Sequence, residues 1–376
     1  METLKRKHCI MCKNSFEEIY TFKDFPVYMG TTSKTTDQDL YADMTFVKCV
    51  QCGCVQIRDL IPLEVLYADG HASVIGKTWE NHHSEFCDFV KKYAHGSIVE
   101  VGGANLVVAK RLAQEEKVDK ITVFDNNILK YGDCDSSKIV LKEEFFDPHK
   151  TEGTIDAILH THLIEHLYNP LKEIQKMSSL LEDGAYMMFA APMIDKMLED
   201  NFTNAFNFEH TYLLSRAMID NILAYAQFEI IDEMAFSSYA SFFVARKNTQ
   251  IDYNINHDYR EDIDKFTDFL EYHQNAVNNI IKTLDGEKEK TFVFGAHIFT
   301  QYLLGFGLQE ESFANILDND PQKIGNRLYG TDLLVKSPKI LKEMEEPLVV
   351  LKAAQYTEEI MTDILENINS GTRFIL

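Results

Sequence analysis

The chain lacks the run of about 18 consecutive apolar residues that a membrane-spanning helix needs, so no membrane span is expected. It also lacks a basic patch. Lys5-Arg6-Lys7 is the densest basic run, short and terminal, and 37 Lys and Arg stand against 59 Asp and Glu, a net charge of −22. So acidic a molecule repels phosphate backbones, which excludes nucleic-acid polymers as expected partners. The first residues hold no apolar stretch of a secretory leader, so the cytoplasm is the expected compartment. The seven cysteines then read as reduced thiols or metal ligands rather than disulfides. Internal repeats and low-complexity tracts are missing too. Hydrophobic residues make up 45% of the 376, enough for a packed core and for two or three domains, which excludes global disorder.

What is present falls into three blocks. Block 1–70 holds two Cys-x-x-Cys pairs, Cys9/Cys12 and Cys49/Cys52. Two residues between cysteines let both sulfurs face one ion from a tight turn, and two such knuckles supply the four soft corners that Zn2+ prefers. Gly53 follows the second pair directly. The site reads as closed, hence structural. Cys54 is an alternative ligand by position, but its side chain is expected to point away from the knuckle, and Cys87 and Cys134 are expected to be ordinary helix or loop residues.

Block 71–248 alternates strand and helix. Strands are expected at Ile98–Val101, Ile121–Phe124, Ile139–Leu141, Ala157–Leu159 and Tyr186–Ala190, with helices such as 106–114 and 171–181 between them. That alternation implies a parallel sheet covered on both faces, closed by an antiparallel pair at Phe228–Ile231 and Ser241–Arg246. A helix over 78–93 is read from Trp79, Phe86, Phe89, Val90 and Tyr93, with His82 and His83 solvated. After the polar stretch 248–258 comes block 249–376. It opens with a helix carrying Phe266, Phe269, Leu270, Val277, Ile280 and Ile281, then a second strand–helix–strand unit, Thr291–Phe294 to Ser312–Leu317.

After the strand ending in Glu100 the chain must turn sharply beneath a ligand, and Gly102 and Gly103 supply the missing side chains. Asp125, with Asn126 beside it, follows the second strand and suits two ribose hydroxyls. Asp147, beside Phe146, follows the third and suits an adenine amino group under an aromatic ring. A Gly-Gly turn alone fits NAD as well as S-adenosylmethionine, and Leu106 stands near the place of the third dinucleotide-type glycine. The stretch His160-Thr161-His162-Leu163-Ile164-Glu165-His166 and the later Leu180-Leu181-Glu182-Asp183-Gly184 resemble the fourth-strand region of class I methyltransferases.

Over nearly its whole length the chain resembles the sugar C-methyltransferase family. The likeness is carried by Cys9-Ile10-Met11-Cys12, Cys49-Val50-Gln51-Cys52-Gly53, Pro62–Tyr67, Phe208-Glu209-His210, Phe294-Gly295-Ala296 and Leu317–Gly325. The resemblance implies an α/β architecture: an N-terminal zinc-binding domain, a class I Rossmann-like methyl-donor domain and a C-terminal Rossmann-like domain. It implies S-adenosylmethionine held by Glu100, Gly102, Gly103, Asp125, Asn126, Phe146, Asp147 and His160. The substrate implied is a nucleotide-linked keto-deoxysugar. His210 would take a proton from the carbon beside the ketone, with Glu209 next to it and His166 hydrogen-bonding the enolate oxygen. His162 is expected to be a strand-end polar group. Departures fall where substrate would be held: Asn207-Phe208 replaces Tyr-His before Glu209, and Tyr67–His71 thins a tyrosine-rich stretch. O- or N-methylation of a related substrate, or a binding relic without turnover, are the alternatives. The sequence leaves the oligomeric state open.

Overall fold

In the computed structural model, residues 1–68, 77–103, 105–127, 134, 136–250, 252–253, 255–284, 286–352 and 356–376 are described. Asp69, Gly70 and His71 of the Tyr67–His71 stretch lie outside them, as does the boundary drawn between residues 70 and 71.

An antiparallel sheet comes first, built from β1 (Phe16–Pro26), β2 (Tyr41–Cys49) and β3 (Val55–Ile57). Helix α1 (Lys77–Val90) leads into the central sheet. Its strands are β4 (Gly96–Val101), β5 (Val118–Phe124), β6 (Ile139–Lys142), β7 (Ile155–Thr161), β8 (Leu181–Pro192), β9 (Phe228–Ser237) and β10 (Ala240–Lys247). They lie in the order β9-β10-β8-β7-β4-β5-β6. β6, β5, β4, β7 and β8 run parallel, and β10 and β9 close the edge antiparallel. The order reverses at β4 and β7, so their carboxyl ends flank the crevice where such sheets take ligands.

A third sheet is wholly parallel: β11 (Thr291–Phe294), β12 (Asn315–Leu317), β13 (Val335–Lys336), β14 (Leu348–Val350) and β15 (Arg373–Ile375), in the order β13-β12-β11-β14-β15. Helix α2 (Ile298–Gly305) joins β11 to β12. β12 is shorter than its sequence suggests because Glu310–Ser312 is a 3-10 turn. Likewise the helix before β8 ends at Ser178, and β8 begins at Leu181.

Helix α3 (Arg260–Thr283) is the strut between blocks. Phe266, Phe269, Val277 and Ile280 are buried on one face, each worth about 1.5–3 kcal/mol on full burial. Phe266 meets Phe46 of β2 at 4.7 Å and Phe206 at 5.3 Å between ring centroids. Ile281, expected in that stripe, is 47% exposed. One residue is 100° around a helix from its neighbour, and Ile280 already fills the inward position.

The first and third sheets are clamped together. The Arg327 guanidinium donates to both oxygens of the buried Asp39 carboxylate, each at 2.7 Å. The two-residue strands Thr31–Thr32 and Arg327–Leu328 pair beside it. Removing one partner of so buried a pair costs roughly 3–5 kcal/mol. Within the N-terminal basic run, Arg6 turns inward. It donates to the carbonyls of Ile57, Tyr168 and Thr211 and to the Thr211 hydroxyl.

Candidate active site

Three groups of polar side chains gather around the crevice and the N-terminal knuckles. At the knuckles, Cys9, Cys12, Cys49 and Cys52 bring their sulfurs within 4.8 Å of one another. The Cys9–Cys52 and Cys12–Cys49 sulfurs lie 3.6 and 3.3 Å apart. Four sulfurs at bonding distance of about 2.3 Å from one Zn2+ would stand nearly this close, so the donor set fits a structural zinc ion. Hydrogen bonds from Cys52 and Cys54 hold the Cys9 thiol down, while Cys9 and burial push Cys52 up. Cys54 lies outside the four-sulfur set and is fully buried, its thiol 4.0 Å from the Val55 carbonyl. Cys87 and Cys134 take no part.

The second group is the glycine turn. Gly102 has φ +79°, a left-handed conformation that side chains resist. Gly103 has no room for a side chain, since a Cβ there would stand 2.7 Å from Glu100 Cδ and from Val123 Cγ1. Glu100 is buried, and its Oε2 has no hydrogen-bond partner among the described residues. Burial, then the charge of Asp125, raises its carboxyl to about 8. An orphaned buried carboxylate oxygen is costly, and a cationic ligand group would offset that cost. Asp125 Oδ1 accepts from the Asn127 N–H at 2.8 Å, and Asn126 Oδ1 from the Asn127 amide at 3.1 Å. Phe146 packs edge-on to Phe124 at 5.4 Å. Asp147 accepts from the His149 N–H, closing a turn, and with Phe146 it borders a cavity of about 710 Å3. His160 is fully enclosed and stacked on Phe189 at 5.0 Å, with neither ring nitrogen partnered among the described residues. Burial holds it down at about 4, and the sheet interior is not an open cleft wall. His160 thus lies apart from the cleft, while Glu100, Gly102, Gly103, Asp125, Asn126, Phe146 and Asp147 fit a methyl donor with an ammonium, a ribose and an adenine.

The third group sits beside the glycine turn, for Leu163 Cδ1 would be 3.7 Å from a Cβ on Gly102. It joins Glu165 and His166, on the 3-10 turn Ile164–His166, to Glu209 and His210. His166 Nδ1 lies 3.7 Å from Glu209 Oε2 and 3.3 Å from the Tyr67 hydroxyl. The His166 and His210 rings stand 5.0 Å apart, edge to face. Asn207 Oδ1 accepts from the backbone N–H of both Glu209 and His210, at 2.7 and 3.0 Å, so Asn207 shapes the turn that presents them. Beyond the turn, Ile57 N–H donates to the Thr211 carbonyl at 2.8 Å and Leu213 N–H to that of Val55 at 3.0 Å. Tyr212 O–H donates to the Ile164 carbonyl. The first sheet thereby fixes the segment carrying His210.

Sequence reasoning brought His166, Glu209 and His210 into one place but passed over two members of it. Tyr67 and Glu165 stood inside quoted motifs without a role. His82 and His83, expected in solvent, are buried at 2% and 8% exposure. His82 lies one turn before Phe86 and two before Val90, on the inward stripe of α1, and that spacing was the available signal. His162 is more than a strand-end group: its ring nitrogens bond Glu165 and His82.

Residues 78–233 match a family model described as a methyltransferase domain, and residues 247–376 match one described as a C-methyltransferase C-terminal domain. Among solved structures the chain is similar to the N-methyltransferase NodS from Bradyrhizobium japonicum in complex with S-adenosyl-L-homocysteine. Identity there is 14%, coverage 46% of this chain and 89% of that one, and the TM-score 0.36. It is also similar to an S-adenosylmethionine-dependent methyltransferase from Mesorhizobium loti, at 11% identity, 44% and 96% coverage and TM-score 0.36. No curated protein matches it in sequence. The central sheet and the first family match together make the fold that of the class I methyltransferases.

Proposed function

We propose that this chain, an S-adenosylmethionine-dependent methyltransferase with a C-methyltransferase C-terminal domain, methylates a carbon beside the ketone of a nucleotide-linked deoxysugar. One observation carries the reading: a half-buried His166–His210 pair, flanked by Glu209, adjoins the glycine turn. Such a carbon is not a nucleophile until it loses a proton, and the ketone is the electron sink that makes the loss feasible at neutral pH.

His210 Nδ1 lies 3.2 Å from the Ala205 carbonyl. A carbonyl only accepts, so that contact assigns the ring proton to Nδ1 and leaves Nε2 as the basic lone pair. The carbon-bound proton moves to Nε2, and its electron pair passes into the enolate. His166 faces the developing oxyanion, with Glu209 and the Tyr67 hydroxyl fixing its ring through Nδ1. S-adenosylmethionine, when bound, supplies an electrophilic methyl group on a sulfonium. Glu100 would hold its ammonium, Asp125 and Asn126 its ribose, and Phe146 and Asp147 its adenine, with Gly102 and Gly103 allowing close backbone approach. The four cysteines would hold a structural zinc ion that keeps the first sheet in shape.

The test pairs a substitution with a titration. His210→Ala lowers turnover by roughly 10²–10⁴ while calorimetric affinity for S-adenosylmethionine stays as in the parent. Unchanged turnover removes His210 from the chemistry, and heat with NAD but none with S-adenosylmethionine ends the donor assignment.

A further inference from the structure

We propose that Glu165, His162 and His82 form a buried positioning relay behind the His166–His210 pair. The relay deepens the role given above to those two imidazoles and rests on it.

Three separate elements supply the relay. His82 comes from helix α1, His162 from the end of β7, and Glu165 from the following 3-10 turn. His82 Nε2 lies 3.1 Å from His162 Nε2, and His162 Nδ1 lies 3.1 Å from Glu165 Oε1. A contact between two ring nitrogens needs one N–H and one lone pair. The Glu165 carboxylate accepts, so His162 carries its hydrogen on Nδ1. The neutral ring then offers a lone pair at Nε2, and His82 must donate from Nε2. A single tautomer pattern, with both rings neutral, satisfies both contacts.

The surroundings agree. Burial above all holds His82 down at about 3. Burial works against ionising Glu165, but the hydrogen bond from His162 and the neighbouring imidazoles outweigh it and hold the carboxyl at about 2. Trp79 sits edge-on to His162 at 5.1 Å, and Phe236 and Phe242 wall His82 at 4.9 and 5.0 Å. His162 holds φ +50°, the kind of non-glycine strain that persists where the surroundings over-determine a conformation.

Glu165 Oε1 stands 4.0 Å from His166 Nε2, and Oε2 is buried without a partner among the described residues. The ionisable groups around this carboxylate are His162 and His166 on its own segment, His160 on β7, His210 and Tyr212 on the next segment, and Tyr67. No lysine or arginine is paired with it among the described residues. An anion so placed favours a proton on the imidazoles in front of it. The relay therefore fixes the orientation of Glu165 and keeps its anion facing the pair that handles the substrate proton and the enolate oxygen.

Two readouts test this, neither needing the methyl donor. The first is exchange of the carbon-bound hydrogen of a nucleoside-diphosphate keto-deoxyhexose with D2O. Glu165→Gln moves the acid limb of the pH–rate profile to lower pH by roughly a unit or more, and Glu165→Asp restores it in part; an unmoved limb overturns the relay. The second is nitrogen NMR of histidine-labelled ligand-free enzyme, with His82 and His162 assigned by substitution. The expected result is His162 protonated on Nδ1 and His82 on Nε2. The opposite tautomer on His162 overturns the relay even where Glu165→Gln fails to fold. No exchange by the parent enzyme at any pH would instead overturn the enolate reading and leave the relay to the NMR result.

Discussion

Glu100 and Gly103 share one space. The carboxylate of the first folds back so far over the turn that a methyl group on the second would stand 2.7 Å from its Cδ. The acid and the glycine are therefore a single device, and Gly103→Ala must displace Glu100 or Val123. Overpacking of this kind costs about 1–3 kcal/mol. Melting curves are expected to show that loss, and calorimetry a weaker grip on S-adenosylmethionine. An alanine variant with parental melting and affinity would mean that the turn has slack not seen here.

The state of Glu100 gives a pH dependence of definite sign. Its folded carboxyl is raised from 4.5 to about 8 by burial and by Asp125. Between those values the folded chain keeps a proton that the unfolded chain has released, so stability falls as pH climbs through that window. Glu100→Gln removes this fall, and the difference in Tm between variant and parent widens from pH 5 to pH 8. Donor binding at pH 7 expels a proton, because the ammonium prefers the carboxylate. Calorimetry in buffers of different ionisation enthalpy checks this.

Leu106 occupies the place of a turn glycine and holds φ +57°, yet it is fully buried. Replacing it with glycine relieves about 1–2 kcal/mol of left-handed strain. It also empties a leucine-sized hole, which costs about 2–5 kcal/mol. The larger number wins, and Leu106→Gly is expected to lower the midpoint of denaturant unfolding. A raised midpoint would show that strain governs this position.

Metal removal is expected to reach the active site through the first sheet. β2 and β3 flank the second cysteine pair, and β3 holds the backbone next to His210 through Ile57–Thr211 and Val55–Leu213. A strong chelator should release about one equivalent of zinc, unfold the N-terminal part first and abolish turnover. Metal-free protein with parental circular dichroism and activity would contradict a structural ion.

Much of this architecture was legible in advance, for local reasons. Alternating strands and helices gave the parallel core, the ends of β4 and β5 marked Glu100 and Asp125, and the family resemblance pointed to His166. Two Cys-x-x-Cys pairs announced the knuckles. The relay was not legible. His82 and Glu165 are far apart in sequence, and only the packing of α1 against the β9–β10 edge brings His82 to His162. Nor was the inward turn of Arg6 legible, because its partners Ile57, Tyr168 and Thr211 come from three distant segments.

The site of methylation decides the matter most directly. Turnover of a nucleoside-diphosphate keto-deoxyhexose with carbon-13-labelled methyl donor should give a product whose labelled methyl carbon is coupled to a ring carbon and resonates as an alkyl group. A labelled methoxyl or N-methyl signal, or no transfer at all to such a sugar, would contradict it.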